Sequence, residues 1–133
     1  KRFHFPRGGP RAALKTVGGD AVIEKEPNGI EPHAPGAKLD DGKPEADLLQ
    51  DFGLALLAVA EVSTFGKRKY SRGGWQYVKD GINRYTAAMF RHLFEERYED
   101  NDPDSDLLHA KHTAWNALAR LELMLRENNQ KWE

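Results

Sequence analysis

The sequence predicts an all-α protein, a small bundle of three main helices that follows an extended N-terminal arm. From Leu48 onward, apolar residues recur at the spacing of amphipathic helices. Residues 1–46 instead carry six of the seven prolines and seven of the twelve glycines, without a sustained period. A chain of 133 residues can bury one modest core. We therefore expect an arm over residues 1–37 and a single helical domain over residues 38–133.

The arm contains two short segments with the composition of β-strands. These are residues 3–5 (FHF) and 21–23 (AVI). Strands of this length are marginal unless they join a larger sheet. We favour an ordered arm that wraps the body or a neighbouring subunit over a freely disordered tail.

The first helix is predicted to begin near Pro44, because proline suits the first helical turn. Its apolar stripe follows at intervals of three and four residues and consists of Leu48, Phe52, Ala55, Leu56 and Val59. Gly66 is a natural residue to follow a helix, so the helix is expected to end there.

Two further helices are predicted, over residues 82–98 and 107–128, with an acidic turn between them. The inward stripe of the second helix consists of Tyr85, Ala88, Met89, His92, Leu93 and Glu96. Ser105 or Asp106 is the expected N-cap of the third helix. One side of that helix is apolar and the opposite side carries its histidines. Both sides are therefore expected to be covered, which predicts a bundle completed by a partner subunit, a homo-oligomer.

Composition excludes several classes of protein. The chain has no cysteine, so it has no disulfides, thiolate metal sites or cysteine nucleophile. A net charge of −1 argues against stable binding of duplex nucleic acid, which needs a basic excess. We expect no membrane association, since no apolar run approaches the roughly 18 residues of a membrane span. The motifs GxxxxGK[ST], GxGxxG, GxSxG and HExxH are absent from the sequence.

The stretch from residue 91 to residue 116 concentrates the chemistry, with three of the five histidines and seven carboxylates. His92 and Glu96 lie four residues apart on the second helix, and Glu95 is the alternative acid. His109 and His112 lie three apart on the third helix. Metal sites in helical bundles are built from antiparallel helices that each supply such a set. The other interpretation is an intrahelical ion pair at the edge of the core.

Asp102 precedes the third helix and either is an ordinary turn residue or is placed to ligate a metal or to orient a histidine. Asp104, by contrast, has the sequence context of an ordinary turn residue.

The loop after the first helix combines cations with aromatic rings. Lys69 is expected to contact phosphate oxygens, and Tyr70 or Trp75 to stack on a base. The alternative is a solvated basic loop with Trp75 tucked into the core. Arg84 and Arg91 are predicted to neutralise phosphate charge, unless they pair with Asp80 and Glu95.

Three blocks of the sequence match a known pattern: DGKPEADLL, VSTFGKRKYSRGGWQ and RYTAAMFRHLFEERYEDNDPDSDLLHAKHTAWNAL. Over residues 38–126 the chain resembles the phage-associated family of dATP/dGTP diphosphohydrolase N-terminal domains. The resemblance implies an all-α nucleotide pyrophosphohydrolase, similar in style to MazG-like enzymes, that converts a purine deoxynucleoside triphosphate to monophosphate and pyrophosphate. It further implies a divalent metal and a location in the cytoplasm, that of the host cell if the protein is phage-encoded. The matched functional positions are Lys43, Lys69, Tyr70, Trp75, Arg91, His92, Asp102, Ser105, His109, His112 and Asn116.

We therefore predict a metal-dependent enzyme whose catalytic residues are His92, Glu96 and Arg91. The predicted metal ligands are His92, Glu96, Asp102, His109 and His112, and the metal is magnesium or manganese, with the imidazoles favouring manganese. The predicted nucleotide-binding residues are Lys43, Lys69, Tyr70, Trp75, Arg84 and Asn116. The alternative is a non-catalytic protein, either nucleotide-binding or a phage structural component, that uses the same helical domain.

Overall fold

The computed structural model describes residues 16–17, 20–21 and 24–128, and the body within them is helical. Its three α-helices are α1 (Gly53–Lys69), α2 (Gly81–Glu95) and α3 (His109–Asn128). A 3-10 segment, Ala46–Phe52, leads into α1, and a second one, Gly74–Tyr77, precedes α2. The predicted all-α architecture with three main helices is confirmed.

The described part of the arm contains one short hairpin. Strand Thr16–Val17 pairs antiparallel with strand Asp20–Ala21. The strand predicted at residues 3–5 and the end of the one predicted at residues 21–23 lie outside the described residues. The boundary between arm and domain at residue 37 stays a prediction.

The end of the first helix differs from the expectation. The helix continues through Gly66 to Lys69, and the amide of Tyr70 donates to the Gly66 carbonyl over 2.9 Å. Its last turn carries Lys67, Arg68 and Lys69, and cations there suit the negative end of the helix dipole. A glycine stops a helix when it takes a positive φ, and Gly66 does not.

Helix α3 is the centre of the bundle, because it packs along α2 and, over a shorter stretch, against α1. Gly81, buried at the start of α2, lies so close to α3 that an added Cβ would come within 2.9 Å of Leu123 Cδ1. The buried apolar residues of the described chain are Val62, Ala119 and Met124. Farther toward its N-terminus, α3 instead buries polar side chains: His109, His112 and Asn116.

An aromatic cluster fixes the loop between α1 and α2 against the bundle. The rings of Trp75, Tyr85 and Trp115 contact one another edge to face, with centroids 5.5 to 6.3 Å apart. The Tyr85 hydroxyl donates to the Trp75 carbonyl over 2.5 Å, and Trp115 Nε1 donates to Ser63 Oγ. Trp75 therefore belongs to the packed body.

The predicted apolar stripe of the first helix is exposed over its N-terminal half. Leu48, Phe52 and Leu56 are 58%, 59% and 46% exposed, and every residue from 42 to 57 is exposed. The reason is that α3 covers α1 only toward its C-terminal end, around Val62. Within residues 24–128, one helix, Ala46–Lys69, is long and apolar enough to span a membrane, judged by length and composition alone.

Candidate metal centre

A pinned loop brings the acidic stretch of the sequence onto the helix ends. Asn101 and Leu108 form an isolated β-bridge, and the amide of Asp102 donates to the Leu107 carbonyl over 2.8 Å. The amide of His109, the first residue of α3, donates to the Asp100 carbonyl over 2.8 Å. These bonds fold the loop back on itself, so that Asp102 lies beside the last turn of α2 and the first turn of α3.

Four side chains converge at this point: His92, Glu95, Asp102 and His109. One ligand atom of each lies within 4.8 Å of the ligand atoms of all the others. The Nδ1 atoms of His92 and His109 are 2.9 Å apart, and Glu95 Oε2 lies 3.7 Å from His109 Nδ1. The predicted convergence of α2 and α3 side chains is therefore present.

The donor set and its spacing fit a divalent cation. Neighbouring ligands of an octahedral ion at 2.0–2.1 Å are about 3.0 Å apart, close to the separation of the two imidazole nitrogens. Without a cation, a 2.9 Å contact between two ring nitrogens needs a proton on one of them. A cation at this point would instead be held by the lone pairs of both nitrogens.

Burial fixes the position of the His109 ring, as a metal ligand requires. Its ring is fully buried, and its Nε2 has no hydrogen-bond partner among residues 24–128. A carboxylate oxygen, Glu99 Oε1, lies 3.8 Å away. A proton on Nε2, facing this carboxylate, leaves Nδ1 as the free lone pair, which is the pattern of a metal-bound histidine with an outer-shell acid.

Asp102 is oriented by a hydrogen-bonded chain. Both the amide and the hydroxyl of Ser105 donate to Asp102 Oδ2 at 3.0 Å, and Ser105 Oγ lies 2.6 Å from His112 Nε2. Because the hydroxyl proton is used on the carboxylate, Nε2 of His112 must be the donor in the second contact. Burial acts to raise the pKa of Asp102, but the Ser105 hydrogen bonds, together with the nearby His112 and His92, outweigh it, and the pKa lies below its ordinary value.

The surroundings of His92 and His112 favour their neutral forms. The rings of His92 and His112 stack with centroids 4.5 Å apart at 9°. Burial lowers the pKa of both residues, and the His112 ring adds to the effect on His92. A neutral imidazole is the form that binds a metal.

The structure brings three of the predicted ligands together, with Glu95 in the place predicted for Glu96. His92, Asp102 and His109 belong to the four-residue group, whereas the acid is Glu95 and not Glu96. Glu96 is the residue that follows α2, and its amide donates to the His92 carbonyl. His112 also lies outside the group and touches it through Ser105 and the stacked His92 ring. The ligand roles of Glu96 and His112 stay predictions.

The predicted nucleotide-binding residues of the first loop lie in different environments. Lys69 Nζ pairs with Asp104 at 2.5 Å, and this hydrogen bond raises the pKa of the lysine. Tyr70 is 77% exposed, so its ring is open to a ligand. Trp75 is engaged by Tyr85 and Trp115, and the guanidinium of Arg126 lies 5.5 Å from its ring centroid.

The other predicted nucleotide ligands are spread over the fold. Arg91 is exposed and makes no ion pair within residues 24–128, whereas Arg84 donates to the Lys79 carbonyl over 3.3 Å. Lys43 pairs with Glu24 at 3.5 Å. Asn116 is buried and donates to the His112 carbonyl over 2.8 Å, so it supports the helix beneath that histidine.

A comparison with protein families shows which family the chain belongs to. The family described as dATP/dGTP diphosphohydrolase, N-terminal, matches residues 33–132, more than half of the chain. The chain belongs to this family. No curated protein and no solved structure matches it. The stretch matched by the diphosphohydrolase N-terminal family includes all three α-helices up to Asn128 and the whole four-residue group.

Acid is expected to destabilise this diphosphohydrolase-family domain. Because the folded state holds His92 and His112 at lowered pKa values, the unfolded chain binds more protons once the pH falls below about 6.5. The free energy of unfolding should therefore decrease from about pH 7 downward and be nearly constant above it. Thermal unfolding in a metal chelator at a series of pH values measures this.

The control for the acid effect is the exposed His33. His33→Ala should keep the same dependence on pH, whereas His112→Gln should flatten it. A midpoint that does not change between about pH 7 and pH 5 would contradict the expected proton uptake.

Ser105 is expected to hold Asp102 in place. Ser105→Ala removes three interactions at once, the hydroxyl bond to Asp102 and the acceptor for both His112 and the Leu107 amide, at a cost of about 1–3 kcal/mol in stability. Metal affinity should fall by about 10- to 100-fold, as it does when an outer-shell partner is lost. Ser105→Thr keeps the hydroxyl and should retain affinity. A metal titration that is unchanged in the alanine variant would remove Ser105 from this role.

Proposed function

We propose that this protein is a metal-dependent nucleotide pyrophosphohydrolase that converts a purine deoxynucleoside triphosphate to the monophosphate and pyrophosphate. The observation that carries the proposal is the four-residue group, in which two imidazoles and two carboxylates offer ligand atoms within 4.8 Å of one another. The family description supplies the substrate class, a dATP or dGTP nucleotide.

In the proposed mechanism His92, Glu95, Asp102 and His109 would hold the metal. A bound divalent metal supplies Lewis-acid contact to phosphate oxygens and a water of lowered pKa. His109 is fixed by burial and by the nearby Glu99, and Asp102 by Ser105. These positions are set before substrate arrives, so the site loses little free energy in reorganising.

Two cations are proposed to contact the triphosphate. Arg91 directly precedes His92 on α2 and is exposed. Because it has no ion-pair partner within residues 24–128, its guanidinium is available to phosphate oxygens. Lys69 is paired with Asp104, and its positive charge contributes to lowering the pKa of His112. A polyphosphate would compete with Asp104 for this ammonium.

The base is proposed to stack on Tyr70. Its ring is exposed and directly follows Lys69, whereas the ring of Trp75 is already packed in the aromatic cluster. Stacking on a tyrosine tolerates any base, so the purine preference needs further contacts.

A metal that accepts both nitrogen and oxygen ligands is proposed over magnesium. Magnesium prefers oxygen ligands, and the group offers two imidazole nitrogens 2.9 Å apart. Manganese suits both donor types. Activity with manganese is therefore expected to exceed activity with magnesium at equal concentration.

The deciding experiment incubates the protein with each deoxynucleoside triphosphate and either metal, then separates monophosphate, diphosphate and pyrophosphate. Monophosphate and pyrophosphate in equal amounts from dATP or dGTP support the proposal. Release of single phosphates would assign a different bond cleavage. Nucleotide binding without any product would favour the alternative, a non-catalytic nucleotide-binding or structural protein.

A further inference from the structure

We propose that the exposed apolar helix Ala46–Lys69 is the contact surface of a symmetric dimer, in which it pairs antiparallel with the same helix of a second copy of this chain. The first observation is the amount of exposed apolar surface. Six large apolar side chains between residues 48 and 57 are 46% to 88% exposed; they are Leu48, Leu49, Phe52, Leu54, Leu56 and Leu57. Large apolar side chains exposed in this number are typical of a protein interface.

The spacing of small and large residues along the helix fits a helical partner. Within α1, Gly53, Leu56 and Ala60 follow one another at three and four residues, the repeat of a helix pair. All three are exposed. A Cβ added to Gly53 would meet no atom within 4 Å, so nothing in the described chain requires a glycine there. Glycine weakens a helix by about 1 kcal/mol relative to alanine, and close approach of a second helix explains its presence.

Charge sets the direction of the pairing. The N-terminal end of the helix carries Asp47 and Asp51, and the C-terminal end carries Lys67 and Arg68. None of these four forms an ion pair within residues 24–128. An antiparallel pair places each acidic end against a basic end, whereas a parallel pair places like charges together. The antiparallel arrangement is also the one in which a two-fold axis crosses the helices and both copies use the same surface.

This interface shares no residue with the proposed metal ligands, so its test is independent of the proposed function. Sedimentation of the full chain should show a dimer. The variant Leu49→Glu with Leu56→Glu should raise the dissociation constant by at least about 100-fold, because two exposed leucines lose their burial in the dimer. Both side chains are exposed in the single chain, so circular dichroism should show an unchanged helix content.

The matched control is Tyr77→Glu, which places the same charge at a residue 86% exposed on another surface. This variant should remain a dimer. A wild-type chain that sediments as a monomer at micromolar concentration overturns the proposal, and so does a doubly substituted variant that remains a dimer. A monomer that instead binds phospholipid vesicles would assign the helix to a membrane surface.

The orientation has its own test, because the chain contains no cysteine. In the antiparallel pair Leu57 lies near the two-fold axis, so Leu57→Cys should form a disulfide-linked dimer with itself. Leu49→Cys should not link to itself but should link to Lys67→Cys when the two variants are mixed. Efficient self-linking of Leu49→Cys, with none between Leu49→Cys and Lys67→Cys, would indicate a parallel pair and overturn the proposed arrangement.

Discussion

His92→Ala is expected to lower triphosphate hydrolysis by at least about 100-fold while leaving a folded protein. His92 supplies one of the two imidazole nitrogens of the four-residue group, and loss of a direct ligand should exceed the 10- to 100-fold effect of losing an outer-shell partner. The same substitution should weaken manganese binding, which calorimetry measures without reference to activity.

Two further variants make the His92 result interpretable. His92→Gln keeps much of the volume of the ring beside His112 and should be equally inactive. His33→Ala removes an exposed histidine elsewhere in the chain and should retain full activity. Full activity in His92→Ala would exclude His92 from the mechanism.

Glu95→Gln and Glu96→Gln are expected to differ by about 100-fold in metal affinity and hydrolysis. Glu95 belongs to the group of potential ligands, with Oε2 3.7 Å from His109 Nδ1, and an amide loses the negative charge that stabilises a cation. Glu96 follows the end of α2 outside this group, so its substitution should change either quantity by no more than about twofold.

The pair serves as its own control, since the two substitutions are identical in chemistry and adjacent in sequence. Equal loss in both variants would mean that the last turn of α2 rearranges when metal binds. Loss in Glu96→Gln alone would restore the ligand set predicted from the sequence.

Much of the site was accessible from the sequence because helical spacing determines which side chains share a face. His92 four residues before Glu96, and His109 three before His112, predicted that two helices contribute to one centre, and the structure brings His92 and His109 together. The choice between Glu95 and Glu96 was not accessible. They differ by about 100° around the helix axis, and where α2 ends and how it is turned toward α3 decide which carboxylate faces the cluster.

The roles of His112, Ser105 and Trp75 likewise depend on tertiary contacts. His112 donates to Ser105, which in turn orients Asp102, and no pattern in the sequence specifies this chain of hydrogen bonds. Trp75 packs against Trp115, a residue 40 positions away, through a contact of ring centroids at 5.9 Å. Sequence spacing carries information over a few turns of one helix, but not across elements.

By itself the sequence determined the all-α class, the second and third helices to within a few residues of their ends, and the stretch that holds the histidines and acids; α1 begins nine residues after the predicted Pro44, beyond a 3-10 segment. These properties follow from local periodicity and composition, which each segment carries alone. Only the tertiary structure decided which acid joins the cluster and which face of each helix is covered. The N-terminal half of the helix Ala46–Lys69 is apolar like a core helix, yet it is exposed, because α3 covers that helix only near Val62.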